Sequence, residues 1–138
     1  MSYRIFLVAQ LMIAVATIMV AIWFPGRWDW ARSLGFALLV GGLMLIFTAR
    51  FQLGRSFSIT PQARHLVTHG IYSKIRNPIY VFGEVMLLGV ALVVRKPFLW
   101  VVFLIVLPVQ IFRAHKEAKV LEEKFGDEYR EYRRKTWF

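Results

Sequence analysis

The chain contains no cysteine, which excludes disulfides, a thiol nucleophile and any Cys-ligated metal. Its three histidines and eight acidic residues fall in no spacing that would hold zinc or a pair of metal ions, so no metal is expected. There is no glycine-rich phosphate loop, no internal repeat, no low-complexity tract and no linker long enough to divide the chain, so residues 1–138 read as one domain. Charge is scarce as well, at 19% of residues, and long stretches carry none.

What is abundant is apolar surface. Hydrophobic residues make up 58% of the chain, aromatics 16%, and the mean hydropathy is +0.53, more than a soluble domain of this size buries around one core. The excess is expected to meet lipid. Four windows, Ile5–Gly26, Ser33–Ala49, Asn77–Val94 and Pro97–Phe112, come close to the ~20 residues that cross a bilayer, and only Glu84 interrupts them with a charge. The expected fold is an all-α integral membrane domain with four transmembrane helices, over about 4–25, 32–50, 78–94 and 97–113. The last two form a hairpin around Arg95 to Pro97. The first window is too long for a signal peptide and ends in Trp23, Phe24 and Pro25, so it reads as an anchor.

Four spans put the amino terminus, a loop over 51–77 and the carboxyl tail on one side. That side then carries all of the 18 lysines and arginines except Arg27, Arg32, Arg95 and Lys96. The cationic side is cytoplasmic, so a multi-pass protein with both termini in the cytoplasm is expected. Much of the +10 net charge then belongs to topology and to anionic membrane lipids. No separate basic domain exists, and no nucleic-acid partner is expected. Trp23, Trp28 and Trp30 suit an interfacial belt, and Gly35, Ala37, Gly41 and Gly42 suit close helix packing. Pro108 is expected to kink the fourth span.

Beyond Phe112 the apolar positions Ala114, Ala118, Leu121, Phe125, Tyr129 and Tyr132 recur at helical spacing among charges, which predicts an amphipathic helix over 114–134, with a possible break at Gly126. The segment Leu66 to Tyr80 is dense in polar residues and runs directly into the third span. Asn77 followed by Pro78 is a helix start whose free N–H groups and positive dipole end, with Arg76 beside them, suit a carboxylate or phosphate. Glu84 follows Tyr80 by one turn, inside the hydrocarbon. A carboxyl there is a functional-site candidate by default, with a protonated Glu bonded to a neighbouring helix as the alternative.

The segments Leu53 to Ser58, Leu66 to Tyr72 and Arg76 to Tyr80, followed by Arg113, Glu117, Leu121, Phe125, Gly126, Tyr129 and Tyr132, resemble the isoprenylcysteine carboxyl methyltransferase and phospholipid methyltransferase superfamily over about residues 51–135. Within it the chain looks like a small prokaryotic-type member, which implies a bacterial or archaeal cell membrane. The resemblance implies methyl transfer from S-adenosylmethionine, with S-adenosylhomocysteine as product, to a lipid-borne or lipophilic acceptor at the cytoplasmic membrane edge. It implies cofactor binding by Arg64, His65, Leu66, Val67, Tyr72, Asn77, Pro78, Tyr80 and Glu117, and an acceptor contact at Arg113; Gly70 and Arg76, within the same segments, complete the cofactor-binding candidates. Three positions depart from the family pattern: Asn77 stands for a His, Arg64 for another His, and Ala118 for the second of two Glu.

From these residues, Glu117 would hold the ribose hydroxyls or the amino group, Arg76 and the Asn77 helix start the carboxylate end, and Tyr72 or Tyr80 the sulfonium, by a cation–π contact of about 1 kcal/mol. Arg113 would orient a carboxylate acceptor, for which no base is needed. An amine acceptor would call on His65, His69, His115 or Glu84 as base. The acceptor therefore stays open between an isoprenylcysteine-like carboxylate and a phospholipid amine, beside a third reading as a non-enzymatic helical protein. The oligomeric state is not encoded in any pattern of the sequence.

Overall fold

The structure, a computed structural model, describes residues 3–54 and 66–138. Five α-helices account for most of them: α1 (Tyr3–Trp23), α2 (Trp30–Leu53), α3 (Pro78–Val94), α4 (Pro97–Phe125) and α5 (Asp127–Lys135), with one 3-10 turn at Gly70–Ser73. No strand occurs among the described residues. An isolated parallel bridge joins Ile75 and Trp137.

Each helix boundary has a local cause. Asp29 caps α2 through its carboxylate, which accepts the Arg32 N–H at 3.0 Å. Pro78 and Pro97 open α3 and α4 at a position where a missing N–H is harmless. Asn77 precedes α3 as foreseen, yet its side chain makes no capping bond. The α3–α4 connection is only Arg95 and Lys96, so the two helices run antiparallel as neighbours.

The centre of the molecule is the α2–α3 pair. A Cβ built on Gly89 would lie 2.5 Å from the Leu39 nitrogen and 2.6 Å from the Gly35 oxygen, so the two backbones approach as only glycine permits. Gly42 meets Met86 in the same way further along. Gly41, also expected to pack, has nothing near it, and Ala37 is exposed. Ala14 and Ala21 of α1 join Leu39, Leu43 and Val93 in the buried cluster.

Arg32 ties α1 to this pair. Only 2% exposed, it donates to the carbonyls of Ala21 (3.2 Å), Phe24 (2.5 Å) and Gly26 (2.8 Å) at the end of α1. A guanidinium there also answers the negative end of the helix dipole. Its charge lies 4.6 Å from the Trp28 ring, so Trp28 has a packing partner beyond any role at an interface. Asp29 pairs with Arg95, joining the two turns at this end of the bundle.

A separate amphipathic helix over 114–134 does not form. Residues 114–125 are the last turns of α4, which runs unbroken through Pro108, because nothing between Phe112 and Phe125 breaks helical geometry. The interruption comes at Gly126, whose φ of +53° only glycine adopts without strain, and α5 starts anew behind it. By length and composition α2 and α4 are apolar enough to cross a membrane, whereas Leu7–Trp23 and α3 are shorter. The apolar stretch of α4 is almost entirely uncovered, with Phe98, Leu104, Ile105 and Phe112 all exposed.

Candidate functional site

Polar groups from five elements converge where α3 begins, next to the turns of α4 that follow its apolar stretch. The spacing of residues places Tyr80, one turn into α3, opposite Arg113 and Glu117 on α4. Tyr80 Oη donates to Glu117 Oε2 at 3.2 Å, and the Arg113 guanidinium carbon lies 5.8 Å from the Tyr80 ring centre. Arg113 is exposed and pairs with no carboxylate within 4.0 Å among the described residues. Glu117 is half-buried. Burial pushes its carboxyl above the ordinary value of 4.5, against the Tyr80 hydrogen bond and the Arg113 charge, which pull it down.

Tyr72, buried in the 3-10 turn, faces the same cluster. Burial raises its phenol first, then the charge of Glu117 and the neighbouring Tyr132, while Arg50 acts in the opposite direction. The charge of Arg50, in the last turn of α2, thus acts at the candidate site, and the sequence analysis counted it only toward membrane topology. Gln52 was missed too: its Oε1 accepts the Ile71 N–H at 2.8 Å and so anchors the 3-10 turn to α2. The signal available for both was two polar residues closing an otherwise apolar helix.

Helix α5 and the segment behind it fold back over this loop. Tyr132 Oη donates to the Tyr72 carbonyl at 2.6 Å, and the Trp137 N–H to the Lys74 carbonyl at 2.7 Å. Phe138 O accepts from the N–H groups of Arg76 (3.0 Å) and Asn77 (3.1 Å). The Arg76 guanidinium reaches the Arg133 carbonyl, at 3.2 Å. Arg76 and the Asn77 N–H are therefore engaged by the chain itself, because α5 returns to this corner. Glu117 itself reaches the loop from α4, through the packing of α4 on α3, a contact no local pattern encodes.

The remaining expected residues divide as follows. Pro78 is buried at the start of α3. Leu66 and Val67 are half-buried in irregular chain and Gly70 opens the 3-10 turn, but none of the three shows a polar contact with Tyr80, Arg113 or Glu117. Arg64 and His65 lie outside the described residues. His115 is exposed and its Nδ1 stands 2.8 Å from the Ile111 carbonyl of its own helix. Glu84 sits one turn below Tyr80, in the α3–α4 seam beside Gln110. Among the described residues no cluster of metal-ligating side chains occurs.

Such an arrangement can accept hydroxyl or amino donors at Glu117, present aromatic faces to a cation at Tyr80 and Tyr72, and meet an anion at Arg113. Similarity to known proteins agrees in kind. The chain is 31% identical over 122 residues to protein-S-isoprenylcysteine O-methyltransferase B of Arabidopsis thaliana, covering 80% of this chain and 60% of that protein. It is 32% identical over 120 residues to the A form from the same plant, covering 79% and 59%. The chain thus spans about 60% of the length of the curated relatives it matches. Residues 30–128, from the start of α2 to α5, match the family described as phospholipid methyltransferase. The superfamily named from the motifs is the one found: this chain belongs to the phospholipid methyltransferase family.

Proposed function

We propose that this protein is a membrane-embedded methyltransferase that uses S-adenosylmethionine to methylate a lipophilic acceptor. The observation that carries the reading is the half-buried Glu117 carboxylate, bonded to Tyr80 and flanked by Arg113, in a chain of this family. In our reading α1 and α3 also cross the membrane, tilted or with their flanking residues at the interface, which gives four spans with both termini cytoplasmic.

The residues present suit the cofactor in three respects. Glu117 offers a carboxylate to the ribose hydroxyls, Tyr80 and Tyr72 offer ring faces to a sulfonium, and Arg50, whose charge acts at Tyr72, offers a cation to the carboxylate end. The last role passes from Arg76 and Asn77 to Arg50 because their N–H groups already serve Phe138. Bound there, the cofactor would supply an electrophilic methyl group for in-line transfer to the acceptor, its sulfur leaving as the thioether of S-adenosylhomocysteine.

The protein's own contribution is placement and exclusion of water. Glu117 and Tyr80 fix one reactant from the α4 side, the α5 return closes the water side of the loop, and Arg113 orients an anionic group of the acceptor. The curated relatives are named as isoprenylcysteine O-methyltransferases, which favours a carboxylate acceptor. A phospholipid amine is the second reading, and the family's description favours it.

The test is calorimetric titration of the purified protein with S-adenosylmethionine and S-adenosylhomocysteine, repeated on Glu117→Ala. Saturable binding that is lost in the variant is the expected result. A well-folded wild type that binds neither compound would return the protein to the non-enzymatic reading.

A further inference from the structure

The α3–α4 seam does not end its polar character at Tyr80. Glu84, one turn deeper, has two carboxyl oxygens that are each exposed by less than 1 Å² and accept no hydrogen bond of ordinary geometry. Its polar neighbour is Gln110 of α4, which stands across the seam: a Cβ on the adjoining Gly83 would come 3.4 Å from Gln110 Nε2. Along α4, Gln110 precedes Arg113 by one turn, just as Glu84 follows Tyr80 by one turn on α3. The seam thus holds a cation at one level and, about 5 Å deeper, a carboxyl whose oxygens meet no hydrogen bond of ordinary geometry among the described residues and whose polar neighbour is the Gln110 amide.

A buried carboxyl whose polar neighbour is poorly aligned for a hydrogen bond is expensive inside a membrane protein, and a ligand that brings a donor offsets that cost. The ligand here approaches from the lipid side, since the apolar stretch of α4 beside the seam is almost entirely uncovered. It has to bring a hydrogen-bond donor to Glu84 and an anionic oxygen to Arg113, separated by about one helical turn. A hydrocarbon tail would then lie along the exposed residues of α4.

We infer that Glu84 and Gln110 form a specificity subsite for an N–H group of the acceptor, set beside an anionic group that Arg113 holds. The chemistry selected is a dipolar head group on a hydrophobic tail. Two sources carry it: a prenylated cysteine, whose amide or amine N–H lies next to its carboxylate, and an aminophospholipid, whose ammonium lies next to its phosphate. Methylation at either is compatible with the subsite: a carboxylate needs no proton removed, whereas an ammonium first gives up one proton, to Glu84 or to water, before its nitrogen takes the methyl group and the sulfur leaves as a thioether. The inference rests on the methyltransferase reading for its meaning, while the binding preference itself does not need a cofactor.

Two matched pairs of probes isolate the N–H. Phosphatidylethanolamine and phosphatidylcholine share the phosphate, and only the first has N–H donors. N-acetyl-S-farnesylcysteine and S-farnesylthiopropionate share the carboxylate, and only the first has an N–H. Retention of each by the detergent-purified protein is measured by native mass spectrometry, for wild type, Glu84→Gln and Glu84→Leu. S-adenosylhomocysteine binding is followed in parallel on the same samples.

The expected result is a preference of about tenfold for the N–H member of one pair in wild type. It should weaken in Glu84→Gln and vanish in Glu84→Leu, with S-adenosylhomocysteine binding unchanged. The pair that discriminates identifies the source. A wild type that binds both members of each pair equally overturns the subsite, as does a preference that survives in Glu84→Leu. Glu84→Leu places an apolar helix former in an apolar segment, and Glu84→Gln keeps the shape, so folding does not confound the pair. Loss of S-adenosylhomocysteine binding by wild type would strike the methyltransferase reading alone, since the lipid measurement stands without it.

Discussion

Tyr80 of α3 donates its hydroxyl to Glu117 of α4, 37 residues away in sequence. This direct side-chain bond closes the loop side of the α3–α4 pair. Tyr80→Phe leaves a half-buried carboxylate oxygen without its donor, which costs roughly 1–3 kcal/mol of stability. Thermal unfolding of the variant should shift down accordingly. Calorimetry should show S-adenosylhomocysteine bound several-fold more weakly, since Glu117 loses the contact that orients it.

The raised Glu117 carboxyl predicts a pH dependence with a definite sign. Because burial holds this proton to higher pH in the folded chain than in the unfolded one, whose value is near 4.5, its contribution favours folding at low pH. That contribution is lost as pH rises through the raised value, with a slope of at most about 1.4 kcal/mol per pH unit. Unfolding followed between about pH 4 and pH 7 should reveal this component in wild type and its absence in Glu117→Gln. Cofactor affinity should move the other way, weakening as pH falls and Glu117 takes up the proton it would otherwise offer as an acceptor site.

Arg113 and Glu117 share one face of α4 but have different tasks in the proposed mechanism. Arg113→Ala should bind S-adenosylhomocysteine within about threefold of wild type and lose turnover by roughly 100-fold, as expected of a group that positions the acceptor. Glu117→Ala should lose binding. Methyl transfer to an extracted lipid fraction, measured beside the calorimetry, separates the two, and equal loss in both would undo the division of roles.

Glycines of similar appearance should respond in opposite ways. Gly89→Ala drives a methyl group into the α2 backbone, an overpacking that costs about 1–3 kcal/mol or more. Gly41→Ala meets open space and should stabilise α2 by up to about 1 kcal/mol through helix propensity. Paired melting curves in detergent check both, and a neutral Gly89→Ala would refute the close contact.

Several features were readable from residue order. The helix starts at Pro78 and Pro97 follow from proline's missing N–H, and the break at Gly126 from glycine's access to positive φ. The family was readable too, since motif order and spacing survive substitution better than overall identity does. The end of the fourth helix was not: an apolar run marks where lipid contact ends, whereas a helix ends only where backbone geometry changes. So α4 carries Arg113 and Glu117 on the same rigid rod as its apolar stretch.

The sequence by itself determined that this chain is helical and rich in apolar surface, and that its chemistry-bearing residues cluster at the loop and tail, because these are local consequences of composition and periodicity. Only the tertiary structure decided which of them meet. Glu117 joins Tyr80 and Tyr72, the charge of Arg50 acts at the site from α2, and Arg76 and Asn77 are taken up by the returning Phe138, because each contact links residues far apart along the chain. Such partners are set by how α2, α3 and α4 pack through glycine and by where α5 turns back, and neither is written in any single segment.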